Sequence, residues 1–139
     1  MLNDLWIARE RLLKNDLSFV IVKNGEIIFE SREGGVKKIL ETVRDYGQKL
    51  ANSALADKVV GKAVMLIALK AGFDSIYAKI ISKSALDIAS KVNKSLVYDE
   101  IVEFIMNRDG TDICPFEKSV KFVEDPEAAY NILCNMVFK

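Results

Sequence analysis

An α/β domain built on a mixed sheet is what this sequence predicts, and three observations predict it. Two β-rich runs flank Asn24-Gly25. A segment that is apolar on nearly every side runs from Val59 to Leu69. Beyond it, strand-like and helix-like segments alternate. At 139 residues the chain falls within the usual range of a single domain, so one core over 1–139 is expected.

Taken in order, Leu5, Ile7, Ala8, Leu12 and Leu13 keep near-helical spacing from Asn3 to Lys14, with Asn3 placed to cap. The runs 17–22 and 26–30 then enclose Asn24-Gly25. A type I′ turn needs positive φ at both central residues, and Asn and Gly supply it at little cost, so a hairpin is expected here. After Gly34-Gly35, the positions Val36, Ile39, Leu40, Val43 and Leu50 carry the period of a helix. A short loop through Asn52-Ser53 leads to Asp57, which reads as the N-cap of a helix running to Ala71 and closed by Gly72. A helix apolar all round packs on several sides and belongs at the centre of the fold.

The run 75–81 reads as a strand, Ser82 or Ser84 as the cap of a helix to about Asn93, and Leu96-Val97-Tyr98 as the start of a further strand. Strand, helix and strand in that rhythm pair in parallel. From Asp99 to Asn107 the pattern fits a long strand or a short helix, and a short strand followed by a helical turn is the preferred reading. Arg108 to Asp112 is a loop. Pro115 suits the first position of a short helix, and Asp125-Pro126 opens the last one.

Composition narrows the function classes. Twenty Lys and Arg balance twenty Asp and Glu, so the basic excess of a nucleic-acid binder is missing and no nucleic acid is expected as partner. Lys37, Lys38, Arg44 and Lys49 alternate with Glu41 and Asp45, as on a solvated helix face. The longest apolar run, Ala63 to Leu69, is too short to span a bilayer, and no membrane partner is expected. Asp4 and Glu10 interrupt the first residues, unlike a secretory leader. Two cysteines do not make a disulfide framework, and the cytoplasm is the expected location. There is no histidine.

The segments Val22-Lys23-Asn24-Gly25 to Glu30-Ser31, Ala56 to Ala63, and Asn107-Arg108-Asp109-Gly110 to Ile113-Cys114-Pro115-Phe116-Glu117-Lys118 carry a further signal. Together they resemble a small uncharacterised prokaryotic family, a domain of unknown function with a cytidine deaminase-like fold. The resemblance covers most of 17–138. It implies a three-layer α/β/α domain, a mixed sheet with an N-terminal antiparallel hairpin and parallel strands. In true deaminases the central helix opens with His-Ala-Glu or Cys-Ala-Glu, and a later helix with Pro-Cys-x-x-Cys. Three of these groups hold zinc, which lowers the pKa of a bound water. This chain has no histidine, and Cys114-Pro115 offers one thiol with no partner two or three residues on. A three-ligand N/S zinc site is therefore not expected, nor is any other metal or cofactor.

Candidate residues must then be argued singly. Ligands of open α/β sheets favour the carboxyl ends of the parallel strands. With the central helix opening at that edge, Asp57, Lys58, Gly61 and Lys62 fill its first two turns, where free N–H groups and the dipole welcome an anion. The plainer reading is an aspartate cap and two surface lysines. Arg108, Asp109 and Lys118 reach towards the same edge, although Arg108 to Asp112 also reads as a tight turn with local side-chain bonds. Asp109, Asp112 and Glu117 lack calcium-loop spacing. Cys114, just before Pro115, stands at a helix N-cap that favours thiolate, and it is the candidate catalytic residue. Its plainer reading is a half-buried side chain closing a loop, while Cys134 belongs to the core stripe of the last helix. Trp6 suits either a sheet cover or a subunit contact. The favoured expectation is a zinc-free site for a small anionic or nucleotide-like metabolite. The alternative is a non-catalytic oligomerisation or regulatory domain, a homo-oligomer.

Overall fold

The computed structural model describes residues 2–138. A first helix, α1 (Leu2–Lys14), leads into the hairpin of β1 (Phe19–Lys23) and β2 (Glu26–Ser31). Asn24 and Gly25 take φ of 53° and 81°, as the turn requires. The Asp4 carboxylate accepts the N–H groups of both, at 3.0 and 2.8 Å, so α1 clamps the turn. Asn3 lies inside α1 and does not cap it.

Helix α2 (Val36–Tyr46) ends earlier than its apolar period suggests, and Gly47–Leu50 tightens into a 3-10 turn. Gly47 has a φ of +56°, a backbone that stops an α-helix before Leu50 is reached. Leu50 is nonetheless buried, which is why the period looked continuous.

Residues Ala54–Val60 form strand β3, and the central helix α3 spans Lys62–Ala71 with Gly61 as N-cap. Asp57 is therefore a strand residue and caps nothing. Two neighbours decide this: β3 pairs antiparallel with β1 and parallel with β4 (Ser75–Ser82), so its backbone groups are satisfied on both sides. Local propensity yields to that ladder. The remaining expectations for α3 hold. It is buried from Lys62 to Ala68, and Gly72 closes it in the left-handed conformation, φ 86°.

After β4, the Ser82 hydroxyl caps α4 (Lys83–Ser90), which ends before Asn93. Strand β5 (Ser95–Val102) pairs in parallel with β4 over its whole length. No helical turn follows it. Met106 instead forms an isolated bridge with Ile113. The short α5 (Pro115–Ser119) and α6 (Pro126–Val137) complete the chain. Asp125 caps α6, its carboxylate accepting the Ala128 N–H at 2.8 Å.

The five strands lie in the order β2-β1-β3-β4-β5, a mixed sheet between two helical layers. Alternation along the strands divides two cores. Val20, Val22, Ala54, Ala56 and Tyr77 face α1 through Leu5, Ala8 and Leu12. Phe19, Ile21, Leu55, Ile76 and Ala78 face the larger layer around α3. No helix among the described residues is long and apolar enough to cross a membrane.

Candidate functional site

Strands β3, β4 and β5 run in parallel and end on one edge, where α3 and α4 begin. That edge is where a ligand of such a sheet is sought. The N-terminus of α3 has no cap from its own neighbourhood, since Gly61 has no side chain to offer. Its partner comes from α5. The Lys62 N–H donates to Glu117 Oε1 at 2.9 Å, and the Ala63 N–H to Glu117 Oε2 at 2.7 Å. A carboxylate spanning two first-turn N–H groups meets both the free donors and the positive end of the helix dipole. Gly61 makes room for it, because a Cβ there would stand 2.5 Å from Glu117 Oε1. The place where an external anion would bind holds the chain's own carboxylate.

The lysines of this edge are engaged as well. Lys62 is buried, and its ammonium donates to the Lys121 carbonyl at 2.9 Å. Lys58, on β3, pairs with Asp16 and holds that carboxyl below its usual range. Because Lys58 belongs to a strand and Lys62 to a helix, the two do not both lie in the first turns of the central helix, contrary to the sequence expectation. Lys118 is turned towards Asp112, whose carboxyl it likewise holds low.

Asp57 shares the alternation of Leu55 and so faces the α3 layer. Burial pushes its carboxyl up to about 7, against the pull of the local N–H groups of Val59 and Lys58. The Val59 N–H stands 3.1 Å from Asp57 Oδ1. A helix cap would have been drawn the other way by the dipole.

The loop after β5 is organised by Asn107, whose Oδ1 accepts the N–H groups of Thr111 at 3.1 Å and Asp112 at 3.4 Å. This is the tight turn with local side-chain bonds that the sequence also allowed. Arg108 and Asp109 are exposed on it. Cys114 does stand at the N-cap of α5, half-buried, but its side chain makes no cap bond. Its backbone N–H is bound to the Ile105 carbonyl at 2.9 Å. Cys134 packs half-buried against the larger core.

Of the sequence candidates, then, Gly61 and Lys62 meet the α5 segment that carries Lys118. Asp57, Lys58, Arg108 and Asp109 make no bond to the α3 N-terminus among the described residues. Sequence reasoning missed the role of Glu117, weighed there as a cation ligand. The one signal was negative: a glycine opening a helix that has no side-chain cap of its own.

At this edge of the sheet, the Glu117 carboxylate meets the opening of α3. The helices starting there open with Lys62-Ala63-Val64 and Lys83-Ser84-Ala85, which supply no thiol, imidazole or carboxylate. Among the described residues no three His, Cys, Asp or Glu side chains are grouped to hold a metal.

No curated protein matches the chain. It is similar to the solved structure of a DUF1893 family protein (TM1506) from Thermotoga maritima, at 38% identity and a TM-score of 0.88 over 96% of this chain and 90% of that one. A diaminohydroxyphosphoribosylaminopyrimidine deaminase/5-amino-6-(5-phosphoribosylamino)uracil reductase of Thermotoga maritima is similar more distantly, at 14% identity and a TM-score of 0.45, over 84% of this chain and 40% of that one. Residues 7–137 match the family described as TM1506, domain of unknown function (DUF1893). With nearly its whole length inside that match, the chain belongs to the DUF1893 family.

Proposed function

We propose that this domain is a non-catalytic oligomerisation domain. One observation carries the reading. Within a single stretch of chain, Tyr98, Ile101, Phe104 and Met106 are 38%, 43%, 56% and 45% exposed. Apolar side chains scattered singly are ordinary on a surface, but four within nine residues on a strand and its following loop suit a contact with another chain. The Glu117 carboxylate supports the same reading from the other side, because it fills the position that an anionic substrate would need. A chain with equal numbers of acidic and basic residues also meets its own copies without net repulsion.

The test is molar mass in solution by sedimentation or light scattering, from micromolar to several hundred micromolar protein. A dimer or larger species supports the reading. A mass of 15.6 kDa at every concentration overturns it.

A second reading keeps a zinc-free site for a small anionic or nucleotide-like metabolite at the strand ends, with Arg108, Asp109 and Lys118 as contacts and Cys114 as the reactive group. Asp57 favours it, since a carboxyl pushed to about 7 on the β3 strand is the kind of group that serves as an acid or base. Thermal shift against nucleotides and sugar phosphates separates the two readings. A ligand at a hundred times its Kd stabilises by roughly 2.7 kcal/mol. Saturable stabilisation of the wild type favours the metabolite. Stabilisation seen with Glu117→Ala alone would mark an anion position normally closed by the protein itself.

A further inference from the structure

We infer that the cleft between the carboxyl ends of α2 and α3 and the side of α6 that carries Tyr130 is a binding site for a small organic phosphate, held by Arg44 and Lys70. This goes beyond both readings above, because the cleft lies at the opposite end of α3 from Glu117.

The cleft has a volume of about 600 Å3, within the range of pockets that take metabolites and cofactors. Ala51 and Ala71 contribute apolar wall, while Arg44, Gln48, Lys70 and Tyr130 contribute polar groups. No carboxylate lines it among the described residues. The carboxyl end of a helix ordinarily repels an anion through its free carbonyls. Here those carbonyls have partners. The Gly47 N–H donates to the Val43 carbonyl, and the Gly72 N–H to those of Ala68 and Leu69. The Gly72 carbonyl accepts the Asn52 N–H at 2.9 Å. Charged side chains then set the sign of the cleft.

Both cations have donors to spare. Arg44 uses its Nε on the neighbouring Asp45 at 3.0 Å, and its two Nη groups make no hydrogen bond among the described residues. The Lys70 ammonium stands 3.6 Å from Glu127, too far for a hydrogen bond, and that carboxylate is 63% exposed. An exposed pair of this kind contributes little, so a ligand displaces it at small cost. Aromatic rings hold the two cations in place, Phe138 under Arg44 at 4.3 Å and Tyr130 under Lys70 at 5.1 Å. A cation ordered in advance binds with less loss of side-chain freedom. Burial, with Cys134 beside it, pushes the Tyr130 phenol up, so its hydroxyl keeps its proton. A guanidinium with two free nitrogens next to an ammonium matches the oxygens of a phosphate, and the apolar wall suits the group attached to it. Basic residues in a last turn also complement the helix dipole. That role alone would alter stability and bind nothing.

The experiment titrates the full chain with phenyl phosphate, inorganic phosphate and phenol at constant pH and ionic strength, following backbone amides by NMR. Phenyl phosphate is expected to shift the amides of Gly47, Gln48 and Gly72 saturably. Inorganic phosphate and phenol, each carrying half of the match, should bind about tenfold more weakly. Arg44→Gln and Lys70→Gln should each raise the Kd for phenyl phosphate about tenfold, whereas Lys118→Gln, at the strand ends, should leave it unchanged. Shifts confined to 58–62 and 108–118 overturn the cleft and favour the metabolite reading at the other edge. No saturable shift in the cleft, or variants of Arg44 and Lys70 that lose stability at unchanged Kd, overturn it and leave both functional readings standing. Should Arg44→Gln fail to fold without its contact to Phe138, Lys70→Gln still decides.

Discussion

Helices α3 and α4 start on the same edge of the sheet and solve the same problem in different ways. Each presents N–H groups with no partner in its own first turn. At α4 the residue just before the helix supplies the answer, with the Ser82 hydroxyl accepting the Ala85 N–H at 3.2 Å. At α3 the residue before the helix is Gly61, and the acceptor is Glu117, 55 residues further along the chain from Lys62. The first cap holds a helix end. The second also fastens α5 and the chain around it to the core. A local cap stabilises a helix, whereas an imported one stabilises a tertiary contact, and removing each should show the difference.

The largest effect is expected at Glu117. Replacing it by Ala removes two hydrogen bonds to a charged acceptor and leaves two N–H groups unsatisfied, a cost of about 2–3 kcal/mol by urea unfolding. Gly61→Ala should cost nearly as much, because its Cβ would occupy the space of the carboxylate. The double variant should be hardly worse than Glu117→Ala alone, since both lesions remove one interaction. Full additivity would mean that the carboxylate stays seated against a β-carbon, and the imported cap would have to be abandoned.

Asp57 gives the next effect, with opposite sign. Its carboxyl lies near 7 in the fold against an ordinary 3.8. Between those values the folded chain binds the proton more tightly than the unfolded one, so stability falls as pH rises through that window. Below it both states are protonated and the penalty is absent. Asp57→Asn removes the charge, and it should stabilise the protein by about 2 kcal/mol at pH 8 while matching the wild type near pH 4. This magnitude is below the full shift because the side chain keeps some contact with water. The same substitution lowering stability at pH 8 would restore Asp57 as a cap and break the contrast between the strand and the helix that follows it.

Ser82→Ala is the smallest of the three. Loss of one neutral cap should cost about 1 kcal/mol and leave the environment of α5 unchanged. Amide exchange makes the comparison sharp: Ser82→Ala should loosen the first turn of α4 alone, while Glu117→Ala should loosen both α3 and α5. Equal spread in the two variants would show that the caps do not differ in kind.

Where the chain's own neighbours set the conformation, the residues could be read directly. Asn24-Gly25 specifies its turn through two positive φ values, Gly72 its helix stop, and Asp125-Pro126 its helix start. Central placement of α3 was legible because a helix with no polar face has nowhere else to go. Strand β3 was not legible. Ala54 to Val60 runs on into the apolar helix without a break, and Asp57 imitates a cap in front of it. Backbone pairing with β1 and β4 on either side decided the matter. The candidate site followed the same division. The sequence put Gly61 and Lys62 inside a helix that Asp57 would open, whereas Gly61 is the N-cap of α3 and Lys62 its first residue. The groups that meet them there, Glu117 and the Lys121 carbonyl, come from far along the chain.

By itself, then, the sequence determined an α/β fold class, a hairpin, a buried central helix and a parallel half-sheet, along with a composition that lacks histidine altogether. These are set by φ preferences, hydrophobic period and residue type, all of which act within a few residues. Tertiary structure alone decided that Ala54–Val60 is a strand, that Lys58 answers Asp16, and that Glu117 occupies the anion position of α3. Those outcomes depend on hydrogen bonds and charges brought together by folding, and no spacing along the chain encodes such distances.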